Sequence, residues 1–170
     1  WAAGGVEVPK LLVNVSFSRL HDEQLIESLE DLDIAPGAVS FELLESIFLD
    51  DGDDVVIDNI RRLDAKGIDI EIDDFGTGYS SLSYLRRFPV TALKIDRSFI
   101  MEIGTETCSD RQVELVRTII RLGQGLDLKV VAEGIETDDQ LAFLGVEGCS
   151  HGQGYFFSRP LAPEKAIELL

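Results

Sequence analysis

The chain reads as an α/β protein built around a largely parallel sheet. Two observations predict this. Six strand-like apolar stretches alternate with helix-like amphipathic ones along the 170 residues, the pattern of parallel strands joined by right-handed crossovers. Acids or an asparagine also recur where those strands should stop, and parallel α/β folds keep their chemistry at the C-terminal ends of strands. Hydrophobic residues make up 45% of the chain with only 5 prolines, a globular composition sufficient for one domain with a core.

In order, Leu11–Phe17 is apolar and β-branched enough for a buried strand, with Asn14 and Ser16 as its polar interruptions. Leu25, Ile26, Leu29 and Leu32 mark a helical face that Pro36-Gly37 ends. Val39–Phe48 alternates loosely and carries Glu42 and Glu45. Val56, Ile57, Ile60 and Leu63 predict a helix stopping at Lys66-Gly67. The stretch Ile68–Asp96 then supplies an alternating strand, the adjacent Asp73 and Asp74 and a glycine-rich loop from Phe75 to Ser81. It continues with a short amphipathic piece, Leu82–Phe88, and a second strand, Ala92–Ile95, holding Lys94 and stopping at Asp96.

Asp110 is the expected N-cap of a helix with Val113, Val116, Ile119 and Ile120 inward and Gly123 or Gly125 near its end. Leu128–Ala132 is a short buried strand closing on Glu133-Gly134-Ile135-Glu136. Asp138 or Asp139 should start the next helix, through Leu141 and Leu144. Gly154–Phe157 reads as a last strand, and Pro163 suits the first turn of a terminal helix. Trp1–Gly5 reads as a helix tail ended by a glycine cap, so the chain is expected to begin inside a larger fold. Six strands suffice for an open doubly wound sheet. A (β/α)8 barrel needs eight strands and about 250 residues. Periodicity leaves both open.

Charge narrows the partners. Acids outnumber bases 32 to 15, for a net charge of −17. Such a surface repels nucleic acid, and only Arg61-Arg62 and Arg86-Arg87 interrupt it. An anionic substrate would need a local cation, which a bound metal supplies. Cys108 and Cys149 lie outside metal-ligand spacing and read as free thiols in a reducing, cytoplasmic setting. No apolar run approaches the ~20 residues of a membrane span, and the first residues lack the regions of a signal peptide.

The polar residues at strand ends are Asn14, Glu42, Asp73, Asp74, Asp96 and Glu133. So many carboxylates at one mouth repel each other unless cations sit between them. Oxygen ligands without histidine suit Mg²⁺ or Mn²⁺, and the Asp73–Asp74 pair could divide or bridge two such ions. Lys94, two residues from Asp96, adds a positive donor on the same strand face. Each acid taken singly also fits a plain helix N-cap, and Glu136, Asp138 and Asp139 fit solvated helix starts better than ligand roles. Tyr79, Tyr84 and Phe88 fit loop packing, and His21 and His151 are too isolated for a catalytic pair. Asp74-Phe75-Gly76 spells a kinase triplet without its companion motifs, and Gly76-Thr77-Gly78 is not a dinucleotide fingerprint.

The stretch DDFGTGYSSLSYLRRFPVTALKIDRSFI, with NVS at 14–16, FELLES at 41–46, VVAEGIET at 130–137 and QGYFFSRPL at 153–161, resembles the EAL-domain family of bacterial cyclic-di-GMP phosphodiesterases. The match covers essentially the whole chain in the family's order. It implies a (β/α)8 TIM-like barrel of the EAL type lacking its first βα units here, so that residues 1–170 are a partial EAL domain. By this resemblance Asn14, Glu42, Asp73, Asp74 and Glu133 are metal ligands for two Mg²⁺ or Mn²⁺ ions, with Glu133 alternatively the general base. Lys94 orients the attacking water beside Asp96. Glu45 anchors the loop at 75–81, and Glu136 and Gln153 belong to the rim. The implied reaction is hydrolysis of cyclic-di-GMP to linear pGpG, the implied assembly a homodimer, and upstream sensor or GGDEF domains are implied companions. The Glu-Ala-Leu motif, with its metal-binding glutamate, is absent from this sequence. The parent is therefore expected to be active and this stretch by itself weak or inactive. A catalytically silent cyclic-di-GMP receptor is the rival reading.

Overall fold

The computed structural model of the chain describes residues 9–46, 54–78, 85 and 87–166. Six strands form one sheet: β1 (Leu11–Asn14), β2 (Val39–Leu44), β3 (Asp69–Phe75), β4 (Val90–Ile95), β5 (Lys129–Ala132) and β6 (His151–Gly152). They lie in the order β1-β2-β3-β4-β5-β6 and every neighbouring pair is parallel. A doubly wound sheet reverses its order at a switch point. This one does not, and successive right-handed crossovers then put the connecting helices on one face. The other face curls on itself as a segment of a (β/α)8-type barrel, which resolves the choice that periodicity left open.

The helical face carries the core. Leu43, Ile70, Ile72, Leu93 and Ile95 are fully buried, in one cluster with Ile60 and Leu63 of helix Asp54–Ala65 and Val116 and Ile120 of helix Asp110–Gly125. Each fully buried side chain of this size contributes roughly 1.5–3 kcal/mol. Gly123 lets the second helix close on β5, because a Cβ there would stand 2.3 Å from a Val130 methyl.

Several boundaries differ from the sequence reading. β1 ends at Asn14, and Ser16 instead starts the short helix Phe17–Leu20, its carbonyl accepting from Arg19 and Leu20. Asp110 is the first helical residue of its helix, and Ser109 is the N-cap, accepting from the Gln112 N–H at 3.2 Å. The next helix does start at Asp138, as expected, and runs Asp138–Val146 with Thr137 as its N-cap in a reciprocal capping box with Gln140. The last strand is His151–Gly152 rather than Gly154–Phe157. Gly154 presses so close to the Ile135 backbone that any Cβ would collide with it, and the chain turns there, leaving Tyr155, Phe156 and Phe157 exposed. Pro163 does open the terminal helix Pro163–Ala166. Trp1–Gly5, Phe48, Tyr79 and most of Leu82–Phe88 lie outside the described residues. Both cysteines are free, and no described helix is long and apolar enough to cross a membrane.

Candidate active site

Neighbouring residues of a regular strand point to opposite faces, so Asp73 and Asp74 could not normally serve one site. β3 breaks that alternation. Ile72 pairs with Leu93 and Phe75 with Ile95, so three steps along β3 match two along β4, a bulge located at the two aspartates. Asp74 sits there with φ 54°, in the left-handed region that aspartate tolerates better than most side chains. The turn is tied by the Asp74 N–H donating to Asp73 Oδ1 at 3.1 Å and by Thr77 Oγ1 donating to the Asp74 carbonyl at 2.9 Å. As a result Asp73 and Asp74 join Glu133, just past β5, with carboxylate oxygens all within 4.8 Å of one another.

Lys94 binds this end of the sheet together. Its side chain is 4% exposed, and its ammonium reaches Glu42 of β2 at 2.5 Å, Asp73 of β3 at 3.1 Å and Glu133 at 2.5 Å. Burial alone would lower the Lys94 pKa, but the hydrogen bonds to Glu133 and Glu42 outweigh it and hold the group well above the ordinary lysine value. It is a fixed cation. Burial pushes Glu133 above the usual carboxylate range against the pull of Lys94. Gln153, beyond β6, donates to Glu133 Oε1 at 2.7 Å.

Asp96 lies past the end of β4, where the two-residue period no longer applies. It caps the four-residue helix Arg97–Ile100, accepting from the Ser98 N–H at 3.0 Å and from the Ser98 hydroxyl. Those bonds, and one shared with Asp74, overcome burial and lower its pKa. Asp74 is raised, first by burial and then by the charges of Asp73 and Asp96. Glu45 is buried and its Oε2 accepts from the N–H groups of Gly76 and Gly78, at 3.0 and 3.1 Å. Asn14 is exposed at the end of β1, in register beside Glu42. Glu136 is exposed and lines a cavity of about 430 Å³ that opens next to Glu133.

Three carboxylates, Glu42, Asp73 and Glu133, thus surround one ammonium at the C-terminal end of a parallel sheet, with Asp74 and Asp96 next to them. The arrangement can hold divalent cations through oxygen donors and can place a base beside a fixed positive charge. Among residues the sequence reading passed over, Arg97, Tyr155 and Arg159 line the same cavity, with the Arg159 guanidinium 4.8 Å from the centre of the Tyr155 ring. Gln140 is buried behind it. Thr137-x-x-Gln140 is a legible capping-box pattern, whereas the cavity depends on contacts that no local pattern encodes.

The EAL domain model matches residues 2–160. The chain belongs to the EAL domain family. Among EAL relatives, the cyclic di-GMP phosphodiesterase NbdA of Pseudomonas aeruginosa is 45% identical over 168 residues, 96% of this chain and 21% of that protein. The EAL domain of Mycobacterium smegmatis DcpA superposes with a TM-score of 0.88 at 35% identity, covering 100% of this chain and 77% of the other. The PaMucR phosphodiesterase in its c-di-GMP complex gives 0.86 at 38% identity, with 98% and 67% covered. The chain spans about a fifth of the length of the first curated relative.

Proposed function

We propose that the protein hydrolyses one phosphodiester bond of cyclic-di-GMP to linear pGpG with the help of two Mg²⁺ or Mn²⁺ ions. One observation carries the reading: Asp73, Asp74 and Glu133 converge within 4.8 Å beside the buried Lys94, at the sheet end of a chain of the EAL family. The naming of NbdA and the nucleotide in the PaMucR complex support the substrate. The donor set fits the ions. It offers oxygen without histidine, and its carboxylates outnumber the one ammonium that neutralises them. Asp73, Asp74 and Glu133, with Glu42 and Asn14 from the adjoining strands, would hold the cations. When bound, they neutralise phosphoryl oxygens and lower the pKa of water.

The reaction forms one bond from a water oxygen to phosphorus and breaks the bond from phosphorus to the 3′ oxygen, which leaves with a proton. Glu133, beside the Lys94 ammonium, would, in the alternative to holding a cation, receive the proton from water. Lys94 orients that water and screens the anionic diester from the acids around it. Asp96 fixes Asp74, Gln153 orients Glu133, Glu45 holds the loop after Asp74, and Glu136 forms part of the rim. The proposal extends to residues 1–170 as part of an EAL phosphodiesterase domain. The stretch alone is then weakly active or inactive. A cytoplasmic homodimer with sensor or GGDEF domains upstream completes the reading.

The test is cyclic-di-GMP turnover by the intact protein with Mn²⁺, followed as pGpG. Turnover abolished by chelator is expected. Binding without turnover would favour a silent receptor, and neither would sink the assignment.

A further inference from the structure

We infer that Gln140 is a positioning residue that sets the separation of two walls of the 430 Å³ cavity and so controls nucleotide affinity. The affinity part rests on the phosphodiesterase reading. One wall is Arg97 and Met101, following β4; the facing wall is Glu133, Gly134 and Glu136, following β5. Neither is rigid by itself, since the first is a four-residue helix with its exit turn and the second is irregular. Both converge on one side chain.

Gln140 is 4% exposed. Its Oε1 accepts from the N–H of Glu136 at 2.7 Å and of Thr137 at 3.1 Å. Its Nε2 donates to the carbonyl of Ile100 at 3.2 Å and reaches that of Met101 at 3.5 Å. The Ile100 carbonyl at the helix end accepts from the Ile103 N–H at 3.0 Å, and a side chain 40 residues away adds a second donor. A capping box uses only the oxygen of the carboxamide. The nitrogen half is surplus to capping, and it crosses to the other wall. Gln112 supports only the first wall, donating to the Phe99 carbonyl at 3.1 Å. The walls also meet at their base, where the Glu133 N–H donates to the Ile95 carbonyl at 3.1 Å and Gly134 packs against Arg97, and Gln140 is the side-chain clasp farther out, at Ile100 and Glu136.

Two readouts on the intact protein test this. Gln140→Met should raise the KM for cyclic-di-GMP about tenfold, as expected when positioning groups shift, with a smaller change in kcat. Gln112→Ala should raise KM about threefold. Asn59, an equally buried carboxamide that donates to the Leu20 carbonyl far from the cavity, is the control: Asn59→Leu should lower Tm while leaving KM alone. Amide hydrogen exchange without ligand provides the second readout. Gln140→Met should accelerate exchange about tenfold in both 97–104 and 133–137 while the sheet stays protected. Unchanged exchange in either wall, or a KM that merely follows Tm as in the control, would overturn the inference. If the wild type neither binds nor hydrolyses the nucleotide, the phosphodiesterase reading falls, and exchange alone still decides the clasp.

Discussion

Strand β3 carries a lysine–carboxylate cluster at each end, and the two are built on opposite terms. At its start, Lys10 pairs with Asp69 at 2.7 Å and with the buried Glu71 at 3.0 Å, one cation for two acids. At its finish, Lys94 pairs with Glu42, Asp73 and Glu133 while Asp74 and Asp96 stand beside them, one cation for five acids. The first cluster is closed by its own side chains and works as a fastening. Both hold more acid than their lysine neutralises, but the excess is one charge in the first and four in the second, an arrangement that persists when further cations share it. Two clusters of similar composition therefore have different work, and the charge balance tells them apart.

The sharpest way to break the comparison is at the open end. Asp73→Asn removes a charge from the bulge and should lower kcat for cyclic-di-GMP roughly a thousandfold, about 4 kcal/mol of barrier. It should also abolish the rise of Tm on adding Mn²⁺, read by calorimetry. Lys94→Met should destabilise the metal-free protein by about 3 kcal/mol, because Glu42 and Glu133 lose their counter-ion. Added Mn²⁺ should recover more Tm in that variant than in wild type. An equal recovery would mean that Lys94 and the cations do not share the same charge.

The closed end should behave differently. Lys10→Met should cost about 2 kcal/mol, the worth of charged hydrogen bonds to Asp69 and Glu71, and Mn²⁺ should restore none of it. Burial lowers the Lys10 pKa, but the hydrogen bonds to its two acids outweigh burial and raise it above 10.5. A raised folded-state pKa gives stability that is fully present below the unfolded value and is lost as pH rises through the folded one. The gap in denaturation midpoint between wild type and Lys10→Met should thus be constant at neutral pH and close only in the alkaline range above about 10.5. The smallest effect lies outside both clusters. Asp127 follows helix Asp110–Gly125 with φ 58°, and Asp127→Gly should gain about 0.5 kcal/mol by relieving a left-handed side chain at the helix end.

Much of the architecture was legible in the order of residues. The alternation from Leu11 to Ala132 named five of six strands to within a few positions, because buried strands and amphipathic helices leave different periods. The last strand was misplaced because Tyr155-Phe156-Phe157 has the composition of a strand while Gly154 is held by a contact with Ile135 that no local pattern reveals. The helix start at Asp138 agrees with the sequence, whereas the cap expected at Asp110 is Ser109. Both types are good caps, and only the observed hydrogen bonds rank them.

The sequence by itself determined the parallel α/β class, the family and the acids at strand ends, since these depend on spacing along the chain and on which residues are present. Only the tertiary structure decided which of those acids meet. Asp73 and Asp74 share a site because a bulge cancels the alternation between them, and Lys94 joins three strands because register brings Glu42, Asp73 and Glu133 around it. Likewise Gln140 spans two cavity walls because helix packing brings Ile100 to it. Each is a long-range contact, and the register and packing that create such contacts exist only once the chain has folded.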